Sequence, residues 1–351
     1  MSYPLLFEPV LKEKIWGGDT LYKKYGIKLP SSNIGESWNI ACHENGMSIV
    51  SNGPLKGMTL EKIIELYDRE LLGTSLGEEH MEKFPLLIKL LDATDILSVQ
   101  VHPDDSYANA HENGELGKTE MWYVIDAKPG ASLVYGVERG TTKEDFRAAI
   151  EGGYLEKYLR RLEVEAGDVV FMPAGMVHAI GAGILICEIQ QNSDTTYRVY
   201  DWNRLGADGE PRPLHIDRAL DVIDFEGKYD REKLEGLTIV EGDVERTYYI
   251  ATKYFAIEKL SIEGQARECA DGSKFYCLSA VEGSGAIVYD GGSVEFTGGQ
   301  SILIPANLGQ YTIEGNCIII KAYIPEVEKD IVSPLLDRGY RREELSSIVG
   351  L

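Results

Sequence analysis

The chain has 351 residues and a formal net charge of −22, with 44% hydrophobic and 26% charged residues. Its length exceeds that of one average domain and predicts two, and its composition is typical of a globular protein with a sizeable core. The strong acidity disfavours binding to nucleic acid, because contacts with a phosphate backbone depend on clustered lysine and arginine. A small anionic ligand remains compatible with this charge if its site is a basic island.

No segment reaches the length of about 18 apolar residues that a membrane helix requires. Charges at Glu8, Lys12 and Glu13 interrupt the apolar core that a signal peptide would need. The five cysteines are odd in number and include no Cys-x-x-Cys pair, which argues against a disulfide framework and a cysteine-based zinc site. We therefore expect a cytoplasmic protein with free thiols and no membrane partner.

Two segments are predicted to be helical. Residues 57–73 and 141–162 both carry apolar side chains at helical spacing. The pair Gly152-Gly153 is expected to bend or split the second helix, and a weaker helix is predicted near 326–348.

Most of the remaining chain is predicted to form short strands separated by glycine, proline, asparagine or aspartate turns. The predicted strands include residues 96–103, 120–127, 131–137, 168–175, 183–191, 254–262, 286–292, 293–299, 300–307 and 316–325. Many short strands at this spacing predict a mainly β protein built as a sandwich or barrel.

An internal repeat divides the chain. Residues 163–190 align without a gap with residues 295–322, which predicts two copies of one β unit. We place the boundary near 225–245, so that residues 1–235 form an N-terminal domain and residues 236–351 a C-terminal domain. In this alignment His178 falls on Gln310, and the second copy contains no histidine. Any function of His178, such as metal binding, is therefore expected in the first copy only.

Candidate metal ligands occur in the first copy. Strand alternation directs Gln100 and His102 to the same side, together with Ser98. Glu120 stands at the start of an apolar strand, where a buried carboxylate needs a partner. His178 follows a tight turn before a later strand. Two imidazoles with two oxygen ligands suit zinc or another first-row divalent ion, with room for water or substrate.

These residues also have ordinary interpretations. His178 can be a satisfied core histidine, Glu120 a surface acid and Gln100 a sheet hydrogen-bonder. The other histidines lie in polar, loop-like or helical segments and are expected to be solvated; they are His43, His80, His111 and His215.

The segment GDVVFMPAGMVH (167–178) resembles the second signature motif of the cupin β-barrels, although Ala182 stands where that motif ends in asparagine. The first cupin motif is changed to Gln100-x-His102, with Glu120 far downstream. That arrangement resembles the short bacterial form of the type I mannose-6-phosphate isomerases. The resemblance covers residues from about 5 to 325 and includes the segments GESW (35–38), GKTEMWYV (117–124) and EIQQNSDTTYRVYDWNR (188–204).

The resemblance implies two cupin-like β-barrel (jelly-roll) domains with a few peripheral helices. It also implies interconversion of mannose 6-phosphate and fructose 6-phosphate through a cis-enediol stabilised by one divalent metal, with zinc expected. The implied metal ligands are Gln100, His102, Glu120 and His178. The implied catalytic residues are Arg198, Lys118, Asp194 and Glu188, and the implied substrate-binding residues are Lys89, Ser98, Trp16 and Glu36.

Within this set, Lys89 and Ser98 are assigned to phosphate and Arg198 to the substrate oxygens. Lys118 is assigned as a phosphate contact or acid. The general base is left open between Asp194 and Glu188. The expected partner is a phosphorylated hexose, and a monomer or weak homo-oligomer is expected.

The chain departs from the longer family members at two places. Gly117 stands where they carry a histidine proposed for proton transfer, and Ile180 replaces a tyrosine. Two other functions remain open on the sequence alone. His102, Glu120 and His178 also suit a non-haem iron oxygenase, and a sugar-binding cupin without catalysis would use the same fold. Asp194 and Arg198 can alternatively form a loop salt bridge.

Overall fold

The computed structural model describes residues 3–206, 209–229 and 231–351. The strands are β1 (Leu5–Glu8), β2 (Val10–Gly18), β3 (Ile34–Ile40), β4 (Cys42–His43), β5 (Gly46–Met47), β6 (Ile49–Val50), β7 (Leu86–Ala93), β8 (Val99–Val101), β9 (Glu120–Ala127), β10 (Ser132–Val137), β11 (Leu159–Glu163), β12 (Val169–Met172), β13 (His178–Ala179), β14 (Ile184–Gln191), β15 (Tyr197–Tyr200), β16 (Leu237–Glu241), β17 (Val244–Ala251), β18 (Ala256–Ala270), β19 (Tyr276–Tyr289), β20 (Gly292–Thr297), β21 (Ser301–Ile304) and β22 (Gly309–Tyr323).

Short helices lie between the strands and at the C-terminal end. They are α1 (Thr20–Tyr25), α2 (Leu60–Leu72), α3 (Glu78–Glu82), α4 (Asp105–His111), α5 (Lys143–Glu151), α6 (Ile216–Val222), α7 (Ser333–Asp337) and α8 (Arg342–Leu345), with a 3-10 turn at Leu155–Tyr158 and a π-helical turn at Glu328–Val332.

Two antiparallel sheets form the N-terminal unit. One has the strand order β12-β9-β14-β7-β3-β2, and the other has the order β11-β10-β13-β8-β15. Their facing apolar side chains share one core, in which Trp122 and Ile186 of the first sheet pack with Leu133 and Tyr135 of the second. The polar residues of interest lie between these two sheets.

The C-terminal unit is built on one nine-stranded sheet, ordered β16-β17-β18-β22-β19-β21-β1-β6 with β20 paired to β19. A core between the two units joins side chains such as Ile88 and Met121 to Ile257 and Ile320. Strand β1 crosses the predicted domain division, because Leu5 pairs with Leu303 on β21. The division between residues 235 and 236 stays a prediction.

The mainly β prediction is confirmed, and each predicted helical segment contains helix. Helix α2 begins three residues later than expected, after the cap residue Thr59, and ends at Gly73. The second predicted helix stops at Glu151, before the glycine pair, and the chain continues into the 3-10 turn. The weaker C-terminal helix is divided into short pieces.

Four short helices were not foreseen: α1, α3, α4 and α6. In the described ranges no pairing joins the two edge strands of any sheet, so closed barrels are not seen. None of the described helices is long and apolar enough to cross a membrane.

The internal repeat corresponds to real strands, since the bounds of β12 and β21 agree with the alignment. The placement of Gln310 opposite His178 needs a correction. Gln310 is exposed, whereas the next residue, Tyr311, is 3% exposed and packs in the core of the C-terminal unit. The inward position that corresponds to His178 is therefore occupied by Tyr311.

Candidate metal and substrate site

Three buried side chains converge between the two sheets of the N-terminal unit. Glu120 begins β9, His178 begins β13, and His102 directly follows β8. Nε2 of His102 lies 3.4 Å from Oε1 of Glu120, and Nε2 of His178 lies 3.9 Å from Oε2. Each of the three residues is 1% exposed. Their candidate ligand atoms lie within 4.8 Å of one another, a spacing that one divalent ion can bridge.

Both imidazole rings are oriented by backbone carbonyls. Nδ1 of His102 donates to the carbonyl of Thr195 at 2.9 Å, and Nδ1 of His178 donates to that of Met176 at 2.9 Å. Because Nδ1 holds the proton, Nε2 of each ring keeps the lone pair that a metal requires. Among the described residues, Nε2 of His102 and both oxygens of Glu120 are buried without a hydrogen bond, and of these three atoms only Oε1 of Glu120 has a cation, Lys118, beside it. Orphaned buried polar atoms are costly, so this donor set fits a divalent cation.

Gln100 adds a fourth donor. It is the pairing partner of His178 between β8 and β13, and its amide nitrogen lies 3.4 Å from Nε2 of His178. Rotation of the amide exchanges its nitrogen and oxygen, so Gln100 can present an oxygen at the same point. The four side chains can then offer two nitrogens and two oxygens to one ion.

Lys118 controls the electrostatics of this cluster. Its Nζ lies 3.1 Å from Oε1 of Glu120, and the residue is buried, so it is not a solvated surface lysine. Burial raises the pKa of Glu120, but Lys118 and His102 outweigh it and hold that pKa well below its usual value. Burial, with Lys118, lowers the pKa of His102 to about 3. The carboxylate is therefore ionised and the imidazole neutral at pH 7, which are the metal-binding states.

A second buried ion pair lies on the six-stranded sheet that carries Glu120. Nζ of Lys89 lies 3.3 Å from Oε1 of Glu188 and donates to Oε1 of Gln190 at 2.8 Å. Nε1 of Trp122 donates to Oε2 of Glu188 at 2.9 Å. Burial, aided by the charge of Glu120, raises the pKa of Glu188 to about 7, although Lys89 opposes the shift. Glu188 is thus poised to exchange a proton near neutral pH.

Arg198 lies on β15, where it pairs with Gln100 on β8. Its Nε donates to Oγ of Ser98 at 3.2 Å, and its Nη1 donates to the carbonyl of Pro213 at 2.9 Å. Ser98 therefore contacts Arg198, whereas Lys89 contacts Glu188 and Gln190. Burial, with the nearby charge of Arg212, lowers the pKa of Arg198.

The remaining predicted residues surround this cluster. The exposed carboxylate of Asp194 accepts a hydrogen bond from Asn45 at 3.0 Å, so the alternative salt bridge with Arg198 is not what the structure shows. Glu36 lies 2.8 Å from Nζ of Lys14 and accepts from Nε1 of Trp38 at 2.7 Å.

Burial raises the pKa of Glu36, but Lys14 and Lys89 outweigh it and bring the value to about 2. Trp16 is 4% exposed and packs in the core shared by the two sheets.

Three histidines expected to be solvated are not. His80 is half-buried, and its Nδ1 is buried. His43 is 7% exposed, and its Nδ1 accepts a hydrogen bond from the backbone of Asn45. His215 is half-buried, and its Nδ1 accepts from the backbone N–H of Arg198 at 3.1 Å. His215 also donates its own N–H to the carbonyl of Arg198 at 2.8 Å. It fixes the backbone of Arg198 from a distant loop, and no local sequence pattern points to that contact.

Gly117 explains one departure from the longer family members. A Cβ at this position would lie 2.4 Å from the backbone nitrogen of Asp105 and 2.5 Å from the carbonyl carbon of Asp104. These atoms begin helix α4, whose N-cap is Asp104. A histidine cannot occupy position 117 without moving the segment that carries Lys118 and Glu120.

We expect Gly117→Ala to lower turnover by at least about tenfold and to destabilise the fold by about 1–3 kcal/mol, because the clash is with backbone. Thermal unfolding and kinetic assay of the purified variant measure both. Gly114→Ala is the matched control, since a Cβ there meets nothing within 4 Å and only its positive φ of 83° is strained. Equal activity losses in the two variants would contradict the packing argument.

Comparisons with known proteins identify the family of this chain. The family model of the phosphomannose isomerase type I catalytic domain matches residues 5–126, and that of the mannose-6-phosphate isomerase cupin domain matches residues 244–324. Mannose-6-phosphate isomerase ManA of Bacillus subtilis is 44% identical over 90% of this chain and 98% of its own. Mannose-6-phosphate isomerase of Streptococcus mutans is 40% identical over 93% and 100%.

A crystal structure of the mannose 6-phosphate isomerase from Bacillus subtilis superposes with a TM-score of 0.84 at 39% identity, covering 91% of this chain and 99% of that one. The similarity thus spans nearly the whole of both chains and includes the strands that carry the buried cluster. The chain belongs to the type I mannose-6-phosphate isomerase family.

Proposed function

We propose that this protein interconverts mannose 6-phosphate and fructose 6-phosphate. The observation that carries the proposal is the buried trio His102, Glu120 and His178, with unpaired ligand atoms and with Lys118 and Glu188 close by. An aldose–ketose isomerisation needs charge stabilisation at O1 and O2, proton transfer between C1 and C2, and a fixed anchor for the phosphate. Named isomerases similar over the full length support this assignment.

We infer zinc as the metal, held by His102, Glu120, His178 and the oxygen of Gln100. Two imidazoles and a carboxylate suit its tetrahedral preference and leave room for a substrate oxygen. When bound, the ion would act as a Lewis acid at the substrate oxygens. Substrate binding and proton transfer would be carried out by side chains of the protein.

Three cationic side chains are available to an anionic substrate, although Lys118 and Lys89 are each paired with a buried carboxylate. Arg198 can donate to the substrate oxygens, since Ser98 and the Pro213 carbonyl fix its plane. Lys118 can bind phosphate or supply a proton. For the phosphate, we retain Lys89 with Ser98 as a proposal, and Trp16 and Glu36 as walls of the same pocket.

For the general base, we favour Glu188 over Asp194. A base works best when its pKa lies near the operating pH, and burial brings the pKa of Glu188 to about 7. Asp194 is exposed and hydrogen-bonded to Asn45. We assign Asp194 to the rim of the pocket, where it can orient the sugar.

We further infer that the two units are cupin-like β-barrels. The cupin family match in the C-terminal unit and the aligned strands of the repeat support this. A cytoplasmic location is supported by the five free cysteines, none of which is paired with another.

The deciding experiment is a coupled assay with mannose 6-phosphate on the protein as purified, after chelation, and after return of zinc. We expect turnover that chelation removes and zinc restores, together with a zinc-dependent rise in melting temperature, because a metal that binds only the folded state stabilises it. Absence of turnover in the zinc-loaded protein would reject the isomerase. Iron-dependent oxygen uptake without isomerisation would favour the oxygenase, and sugar binding without turnover would favour a binding protein.

A further inference from the structure

The strands of the two units can be matched through their hydrogen-bond registers. A row here is a set of residues that pair with one another across neighbouring strands of a sheet. Val170 and Ile302 occupy the same place in the sequence repeat. The rows that start from them are Val170, Trp122, Glu188 and Lys89 in the N-terminal unit, and Ile302, Leu278, Lys321 and Glu258 in the C-terminal unit. The buried pair Lys89–Glu188 is therefore replaced by Glu258–Lys321, with the two charges exchanged between strands.

The candidate metal ligands are replaced in the same way. Glu120 pairs with Met172, and in the C-terminal unit Tyr276 pairs with Ile304 at the corresponding place. Gln100 pairs with His178, and Glu268 pairs with Tyr311. The second copy thus keeps polar side chains at these places: Tyr276 stands for Glu120, Glu268 for Gln100 and Tyr311 for His178.

A cavity of about 390 Å3 opens at this position. We call it the C-terminal pocket and define it by Tyr248, Glu258, Glu268, Tyr276, Lys321 and Tyr323, all of which line it. Its volume is in the range of small-molecule sites. It lies in a different unit from the candidate active site and shares no residue with it.

The charges of the C-terminal pocket are balanced. Nζ of Lys321 lies 2.6 Å from Oε2 of Glu268 and 3.8 Å from Oε2 of Glu258. The guanidinium of Arg246 contacts both carboxylates as well. Burial raises the pKa of Glu268, but Lys321 and Arg246 outweigh it and bring the value to about 2. Glu241, Arg267, Asp330 and Arg338 also line the cavity, so four carboxylates face four cations and the formal charge sums to zero.

Aromatic rings flank the ion pair. Nζ of Lys321 lies 4.6 Å from the ring centroid of Tyr276 and 5.5 Å from that of Tyr323. The hydroxyl of Tyr323 donates to Oε1 of Glu258 at 2.7 Å. Carboxylates, cations and tyrosines in this arrangement offer many donors and acceptors but no net charge.

An independent observation indicates that this arrangement is incomplete. The hydroxyl of Tyr311 is buried and has no hydrogen-bond partner in the described residues, and the residue is 3% exposed. Tyr311 is the cross-strand pairing partner of Glu268, which lines the C-terminal pocket, so it lies beside the cavity and is not one of its lining residues. A buried unsatisfied hydroxyl costs about 1–3 kcal/mol, which a ligand hydroxyl or its attendant water can recover.

We propose that the C-terminal pocket binds an uncharged sugar or polyol. An anion would be repelled by two ionised carboxylates, and a cation by Arg246 and Lys321, so either would leave a buried charge unpaired. A polyol keeps the network neutral, donates to the carboxylates and accepts from the cations through adjacent hydroxyls. The tyrosine rings can pack against its C–H face.

Cys269 provides a local reporter of occupancy. It lines the C-terminal pocket and is exposed, whereas Cys187, Cys277 and Cys317 are buried. Cys42 is half-buried, and burial raises the pKa of its thiol to about 12. Alkylation by iodoacetamide, followed by peptide mass spectrometry, therefore reads Cys269 selectively. With D-mannose or D-mannitol at about ten times its Kd, we expect alkylation to slow about tenfold, since only the empty pocket reacts.

Tyr311→Phe is the discriminating variant. It deletes the unpaired hydroxyl and keeps the ring, so it should leave thermal stability and isomerase turnover unchanged or raise stability, while weakening the protection of Cys269 at least about fivefold. Tyr22→Phe is the matched control, because that ring is 59% exposed. Glu268→Gln should weaken protection as well and provides a second variant.

Three outcomes would overturn the proposal. The first is that neither D-mannose nor D-mannitol slows the alkylation of Cys269. The second is that inorganic phosphate slows this alkylation and the sugars do not. The third is that the sugars slow the alkylation of Cys42 to the same degree, which would be a general osmolyte effect. Because the readout does not involve turnover, any of these outcomes leaves the isomerase proposal standing.

Discussion

Glu120→Gln should abolish zinc binding and lower turnover of mannose 6-phosphate by about a thousandfold, because a metal contributes several kcal/mol of charge stabilisation to such a reaction. The substitution is isosteric, but it removes the negative charge that lies 3.1 Å from Lys118 and 3.4 Å from His102. Elemental analysis gives the zinc content, and the coupled assay gives kcat and KM. The zinc-dependent rise in melting temperature should disappear at the same time.

The control is Glu163→Gln on the exposed side of β11, which should keep full zinc content and activity. Retention of one zinc per chain by Glu120→Gln would show that the metal lies elsewhere. Loss of activity with zinc retained would make Glu120 an acid–base group instead of a ligand.

Arg198→Ala should lower kcat by about 100- to 1000-fold, the usual cost of removing one donor to developing oxyanion charge. Zinc content should stay unchanged, because the contacts of Arg198 are with Ser98 and Pro213 and none is with the ligand side chains. Arg198→Lys should recover a small part of the loss, since an ammonium keeps the charge without the planar fork. Steady-state kinetics and elemental analysis separate this effect from that of Glu120→Gln.

Arg147→Ala is the matched arginine control. Arg147 makes a surface ion pair with Asp217 and is 41% exposed in its side chain, so its removal should change kcat little. If Arg198→Ala changed KM alone, Arg198 would bind the ground state and transition state equally, contrary to the role proposed here.

Strand alternation placed Gln100 and His102 on one side of a strand, but only the family resemblance predicted that Glu120 and His178 join them, because local patterns do not show which strands lie together. The same rules could not reveal His215, because it lies 17 positions after Arg198 in the sequence and no local pattern links the two residues. Helix α4 was also missed. Its apolar face is minimal, although Asp104 accepts from the N–H of Tyr107 as an N-cap, and that signal was available.

The error at Gln310 has a different origin. A shift of one residue reverses which side chains face inward, and the second copy holds one extra residue at this point: six positions separate Met172 from His178, whereas seven separate Ile304 from Tyr311. An ungapped alignment cannot contain such a shift. The identity of the residue at the place of His178 is therefore set by sheet geometry, and the chemistry of the C-terminal pocket follows from it.

The pairing of Leu5 with Leu303 bears on the order in which the molecule is made. During synthesis the strand that holds Leu5 leaves the ribosome first, while its partner is made about 300 residues later, and domains generally fold as units in that order. Until then β1 has only β6 as a neighbour, through Phe7 and Val50. Closing so long a loop is slow, so β1 can join the C-terminal sheet only after about 300 further residues have been made.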